Sequence, residues 1–351
     1  MKASYHKYVL DFKRPSGTSR GVLTQKETWF IVLEENGKRG IGECGLLRGL
    51  SVDDRPDYEE QLQWVCQNIH LGVAELWEQL IGFPSIQFGV EMAFQSLQSA
   101  APLILFPSDF TLGSKSIPIN GLVWMGEEAY MKQQIEEKLA QGFDCIKLKI
   151  GAIDFQKELD LLHFIRQNFD SKTIEIRVDA NGAFPKDQAL EKLQQLSNYE
   201  LHSIEQPIAK NAIAEMAALC IESPIPIALD EELIGVTSIL DKEQLLQKIK
   251  PQYIILKPSL VGGFRGTKEW IDIAEQLNIG WWITSALESN IGLNAIAQWT
   301  FLQNNPMPQG LGTGALYTNN VDSPLSVSQG QLWYRTELTW QTIPFLQYRN
   351  F

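Results

Sequence analysis

The chain predicts an α/β protein, a barrel of alternating strands and helices joined to a smaller α+β domain, and three observations carry that expectation. Its 351 residues exceed one ordinary core and suit a barrel plus a second domain. From about residue 117 to residue 314, strand-like and helix-like segments alternate, whereas hairpin material followed by helices fills the region before. A charged residue also ends each of five apolar strands, at intervals of about 25 to 30 residues, the length of one strand-plus-helix unit.

Residues 1–116 read as the α+β domain. Strand patterns occupy Tyr5–Phe12, Val22–Gln25 and Thr28–Leu33, and Asn36-Gly37 turns the chain into Gly40–Cys44. Leu62, Val65, Ile69, Val73 and Leu76 recur at helical spacing, which predicts one helix over Tyr58–Leu80; Val90, Phe94 and Leu97 predict another over Ile86–Ser99. Residues 117–314 read as the barrel, with strands at Ile117–Val123, Cys145–Ile150, Glu175–Ala180, Ser203–Pro207, Ile225–Asp230, Tyr253–Lys257, Gly280–Thr284 and Gln309–Gly312. Helices are predicted between most of them, over Glu127–Gln141, Asp154–Asn168, Lys186–Leu196 and Thr267–Leu277. An open doubly wound sheet is the competing architecture, but Ile117–Gly126 lacks the glycine-rich turn that such a sheet places after its first strand. Residues 315–351 are aromatic and turn-rich and are expected to return to the first domain.

Composition narrows the function classes. Hydrophobic residues at 44% and charged ones at 21% exclude a disordered chain. A net charge of −12 argues against nucleic acid or an anionic membrane as partner. Met1–Lys7 holds no apolar signal core and no apolar run spans a bilayer, so a cytoplasmic location is expected, with four reduced cysteines. The four histidines lie at no helical ligand spacing, which leaves acid/base work to carboxylates and lysines. Nothing in the chain specifies an oligomeric state.

The strand-end charges are Lys147 and Lys149, Asp179, Glu205, Asp230 and Lys257. In a barrel, strand C-termini converge on one rim, so these residues become neighbours. Alternation places Lys147 and Lys149 on the inward face of their strand, with Arg177 and Asp179 inward on the next. Buried charges must be compensated or bind an ion. Asp179, Glu205 and Asp230 supply three hard oxygens that suit Mg²⁺. A carboxylate substrate held there could lose its α-proton to one lysine while the other lysine steadies the resulting anion. A lysine base needs a lowered pKa, and the neighbouring Lys147 together with a metal would lower that of Lys149.

Lys147-Leu-Lys, Asp179-Ala-Asn-Gly, Glu205-Gln-Pro, Leu229-Asp-Glu and Leu256-Lys-Pro, in this order, resemble the enolase superfamily and its muconate lactonizing subgroup. Lysine or histidine bases paired with Mg²⁺ are a general property of that superfamily. The resemblance implies a modified TIM (β/α)7β barrel, with a capping domain formed by the N-terminal region and the C-terminal tail. Phe88-Gly-Val-Glu-Met-Ala-Phe resembles the capping-domain helix. Ser285-Ala-Leu-Glu-Ser-Asn-Ile-Gly-Leu, Arg177 and Lys257-Pro-Ser-Leu-Val-Gly-Gly are similar to the o-succinylbenzoate synthases of menaquinone biosynthesis. That resemblance implies dehydration of 2-succinyl-6-hydroxy-2,4-cyclohexadiene-1-carboxylate, with Lys149 as base and then acid and Lys257 opposite.

Further site expectations are Lys147, Asn181, Gly263 and Ser285 at the substrate, with Arg177 and Glu231 behind them. Each has a plainer reading. Arg177 can be an ion pair inside the barrel, Gly262-Gly263 a tight turn, and Glu288 a partner behind the site or a helix residue. Residues 13–21 read as a hairpin end or as a lid over the barrel mouth. Glu231-Glu232 stands where many relatives have Glu-Ser, and the last strand lacks the Asp-x-Asp of dipeptide epimerases. An N-acylamino acid racemase or cycloisomerase on the same frame stays open, as does a metal-binding protein without catalysis.

Overall fold

The structure, a computed structural model, describes residues 1–18 and 21–340. Strands β1 (Lys2–Thr18), β2 (Gly21–Glu35) and β3 (Lys38–Cys44) form an antiparallel meander. Asn36 and Gly37 both take positive φ, 51° and 77°, as a two-residue turn matched to strand twist requires. Helices α1 (Tyr58–Gln67), α2 (Gly72–Gln79) and α3 (Pro84–Gln98) follow. The helix predicted over 58–80 is therefore broken. Asn68 turns its side-chain amide onto the Trp64 carbonyl at 2.9 Å, and a 3-10 turn follows at Ile69–Leu71. Trp29, Ile31 and Leu33 pack against Tyr58, Leu62, Leu76 and Val90 in the core of this domain.

Helix α3 is buried on almost every side because it is covered twice. Val90, Phe94 and Leu97 enter the core of the capping domain, while Phe88 and Met92 enter that of the barrel.

The barrel starts with β4 (Ile117–Pro118), β5 (Gly121–Val123), α4 (Glu128–Ala140) and β6 (Cys145–Lys149). It continues with α5 (Phe155–Asn168), β7 (Glu175–Asp179), α6 (Ala189–Leu196), β8 (Ser203–Glu205) and α7 (Ile213–Glu222). Then come β9 (Ile227–Leu229), α8 (Ile239–Ile249), β10 (Tyr253–Leu256), α9 (Pro258–Val261), α10 (Gly263–Gln276), β11 (Gly280–Ile283) and α11 (Asn290–Leu302). Strands β5 to β11 lie side by side in chain order and parallel. The predicted strand at 309–312 appears only as two parallel bridges, Ile119↔Gln309 and Thr284↔Gly310, which join the first and last strands. The fold is thus α/β, an α+β capping domain on a modified barrel.

After the barrel, β12 (Leu325–Ser328) and β13 (Gln331–Tyr334) form a hairpin that pairs with β4 at Ile117–Pro118. Residues 317–319 lie along β1, through the Phe12↔Tyr317 bridge and the Asn319 amide on Val9 and Asp11. The described tail therefore touches both the capping meander and the barrel's first strand, and residues 341–351 of the predicted returning segment lie outside the described residues.

Candidate active site

Strand register brings the predicted charges together. Lys149 stands beside Asp179, Asp179 beside Glu205, and Glu205 beside Ala228, two residues before Asp230. Apolar neighbours on the outward face, Ile146, Leu148, Ile176, Val178 and Ile204, pack in the main core and hold the strands in place. Asp179, Glu205 and Asp230 are at most 2% exposed, so their charge must be met locally.

Lysines meet it. Lys147 Nζ lies 3.0 Å from Asp179 and also donates to Glu205. Lys149 Nζ lies 2.9 Å from Asp179 and 2.8 Å from the Asn181 amide oxygen. Lys257 donates to Asp230 and lies 3.9 Å from Glu205. Burial disfavours the Lys147 and Lys257 ammoniums, yet the acids beside them raise both above the usual lysine range. Burial likewise opposes ionisation of Asp179 and Asp230, and the adjacent lysines overcome it, so both are held low. Glu205 lies between those two charges and is driven the other way by burial and by Asp179. Three ammoniums face three carboxylates, and Glu205, which feels both other acids, is the one they compensate least.

The surroundings of Glu205 are the fit test for a metal. Among the described residues no three His, Cys, Asp or Glu side chains already form a closed cluster, because ammonium groups lie between the carboxylates. Each neighbouring pair of acids nevertheless touches one shared ammonium, and Glu205 Oε1 is buried without a hydrogen-bond partner. Three hard oxygen donors with an orphaned carboxylate oxygen fit a divalent cation taking the place of those ammoniums.

Asp179 faces a cavity of about 500 Å³, while Glu205 and Asp230 pair with two of its lining lysines, Lys147 and Lys257. Lys147, Lys149, Asp179, Asn181, Lys257 and Ser285 line it, as the alternation of the strands predicts. Leu23, Leu47 and Leu50 of the capping domain, with Leu122, Trp124 and Leu287, give it an apolar wall. Gly21, Val22 and Leu23 reach it from the hairpin end, while Ser19 and Arg20 of the proposed lid lie outside the described residues. Glu231 accepts from Asn181 at 3.0 Å, behind the partner of Lys149.

One expected substrate residue is placed elsewhere, and one supporting residue takes its plainer reading. Gly263 is not in the cavity. It opens α10 against α3, where an added Cβ would come 2.1 Å from Glu91 Oε2 and 3.1 Å from Phe88 Cα. Arg177 bonds Glu175 at 2.7 Å and the Pro308 carbonyl at 2.9 Å, and stacks on Trp282, so its ion-pair reading holds. It sits two residues below Asp179 on the inward face, deeper than the rim.

The sequence reading missed Asn120, Thr284 and Thr313. All three line the cavity; Thr313 meets Ser285 at 2.7 Å, and Asn120 Oδ1 is buried without a hydrogen-bond partner. Inward alternation with Leu122 and Trp124 was the available signal for Asn120.

Comparison with known proteins decides the family. Residues 130–337 match the enolase C-terminal domain-like family, and residues 1–97 match the MenC N-terminal domain. An o-succinylbenzoate synthase of Desulfotalea psychrophila is 49% identical, over 95% of this chain and 98% of the relative. The chain belongs to the o-succinylbenzoate synthase family. The crystal structure of MenC from the same organism superposes with a TM-score of 0.84 at 46% identity, covering 95% of this chain and 99% of the other. A dipeptide epimerase of Enterococcus faecalis, complexed with Mg and a dipeptide, shares the fold at a TM-score of 0.82 and 20% identity, covering 95% and 96%. Within the o-succinylbenzoate synthases, this chain places its lysine pair and carboxylate series on the rim facing the capping domain. No helix among the described residues is long and apolar enough to cross a membrane.

Proposed function

We propose that this chain dehydrates 2-succinyl-6-hydroxy-2,4-cyclohexadiene-1-carboxylate to o-succinylbenzoate, as a hydro-lyase of menaquinone biosynthesis. The observation that carries the reading is the pairing of cavity-lining Lys149 and Lys257 with the buried acids Asp179 and Asp230, in a chain 49% identical to an o-succinylbenzoate synthase. Asp179, Glu205 and Asp230 would hold Mg²⁺. The ion supplies positive charge where the substrate carboxylate turns into an enediolate.

The chain's own groups do the rest. Lys149 removes the proton on the carbon bearing the ring carboxylate, and the bonding pair moves toward that carboxylate. Lys257, as an ammonium, faces the enediolate from the other side. Lys149 then returns its proton to the departing C6 hydroxyl, which leaves as water, and the ring becomes aromatic. Asn181, held by Glu231, fixes the Lys149 amine between two acceptors. Lys147 neutralises Asp179 and Glu205, and Ser285 with Thr313 offers hydroxyls to the substrate. The apolar wall excludes water from the ring.

Mixing the protein with the cyclohexadiene substrate and Mg²⁺ should give the ultraviolet change of aromatisation, abolished by EDTA. Absence of product with metal present would overturn the reading. Lysines on both sides of the cavity also favour a second reading, racemisation of N-acylamino acids. Loss of α-deuterium from both enantiomers of an N-succinyl amino acid, without dehydration, would establish it instead.

A further inference from the structure

The second of the two glutamates after Asp230 has no part in the reaction above, and it does not line the cavity. Glu232 is nevertheless only 5% exposed, so its carboxylate needs partners inside the fold. Both oxygens find them. Oε1 accepts from the Asn211 backbone amide at 2.7 Å, and Oε2 accepts from Gln206 Nε2 at 3.2 Å.

Gln206 follows Glu205 directly and is fully buried. Its Nε2 also donates to the Ile208 carbonyl at 3.0 Å, and its Oε1 accepts from the Asp230 and Glu232 backbone amides, each at 3.3 Å. An amide side chain offers two donors and two lone pairs, and here all four are engaged. Turned end for end, the same side chain would set its NH2 against two N–H groups. The Gln206 backbone ties the same region together. Its N–H donates to the Ala228 carbonyl at 2.9 Å, and its own carbonyl accepts from Gly182 N at 2.7 Å, three residues after Asp179. Gln206 stands at φ +38° and Asn211 at φ +70°, conformations that persist only where the surroundings over-determine them.

We propose that Glu232 is a positioning residue for the divalent cation: by holding the Gln206 amide it sets the Asp230 backbone beside Glu205, so that their two carboxylates can close on one ion. The role rests on the metal reading above. A carboxylate is required because both of these partners are donors; a glutamine at 232 would meet one of them with its own NH2. The preceding residue, Glu231, holds Asn181 at the base, so the 3-10 turn Glu231–Leu233 steadies both the metal ligands and the partner of Lys149.

The test is Mg²⁺ binding by calorimetry, with thermal unfolding in EDTA alongside. Glu232→Gln weakens Mg²⁺ binding about tenfold, as loss of a group that orients a metal ligand does. Gln206→Met, which changes no charge, weakens it by a similar factor. Glu232→Gln/Gln206→Met loses little more than either alone, because both act through one hydrogen bond. A merely structural role would lower the metal-free Tm and leave Mg²⁺ affinity intact. A role through charge alone would leave Gln206→Met at the wild-type affinity. Either result overturns the proposal, as do strictly multiplicative losses in the cycle. If Glu232→Gln or Gln206→Met does not fold, Glu232→Asp decides it. That variant keeps the charge but draws the carboxylate back, so weakened Mg²⁺ binding supports the role and wild-type binding refutes it. A wild-type protein that binds no Mg²⁺ would instead overturn the metal assignment, and this role with it.

Discussion

Asn181 shows how much one side chain can do at this rim. It accepts from Lys149 at 2.8 Å, donates to Glu231 at 3.0 Å, and stands at φ +45° where its strand gives way to a loop. Asn181→Ala should lower kcat by about 10–100-fold, as loss of an orienting partner does, while circular dichroism stays native. Asp230→Asn tests the acids: it should weaken Mg²⁺ binding by at least about tenfold in calorimetry, since a hard cation loses a charged oxygen. These residues were legible because each ends an apolar strand and points inward by simple alternation. Asn120 and Thr313 were passed over because they carry no charge to mark them, and only alternation with Leu122 and Trp124 pointed to the first.

Helix starts are where cap and barrel meet at the level of elements. Asp53 accepts from Ser85 N at 2.9 Å and Ser85 Oγ at 2.6 Å, capping α3 from the loop before α1. Burial pushes its carboxyl from 3.8 up to about 6, against the Ser85 hydrogen bonds. A folded-state value above the unfolded one favours the neutral acid, so this contribution is full below about pH 4 and lost as pH rises through about 6. The unfolding free energy of the wild type minus that of Asp53→Asn should therefore fall between pH 4 and pH 7, by something of the order of 3 kcal/mol. A flat difference would contradict it. On the other side of α3, Glu91 accepts from the Phe264 and Arg265 amides at 2.5 and 3.1 Å and so caps α10. Gly263 sits under that carboxylate at φ +73°. Gly263→Ala should cost about 1–3 kcal/mol in denaturant unfolding, from backbone strain and the clash with Glu91. Sequence placed this glycine at the substrate because it follows an active-rim strand. Its contact with α3 depends on a pairing across some 170 residues that no local pattern records. The break at Asn68 was hidden for the opposite reason, because apolar spacing runs on unbroken through a local side-chain bond.

At the scale of the whole molecule, the barrel supplies the reacting groups and the capping meander supplies the apolar roof. Helix α3 is the wedge between them, and Phe88→Ala, which empties a fully buried ring position against Phe264, should cost about 3–5 kcal/mol in unfolding free energy. The division into strands-then-helices and alternating strand and helix could be read from the chain because hydrophobic period changes near residue 117. The closing strand was placed at 309–312, but its extent could not be read, because only residues 309 and 310 bridge to the strands on either side. The most direct test of the account is the ultraviolet rate of aromatisation, with saturating Mg²⁺ and the cyclohexadiene substrate, for wild type beside Lys149→Ala. The account predicts a folded variant slowed by at least about 10²–10⁴-fold. Turnover by Lys149→Ala at the wild-type rate would contradict it.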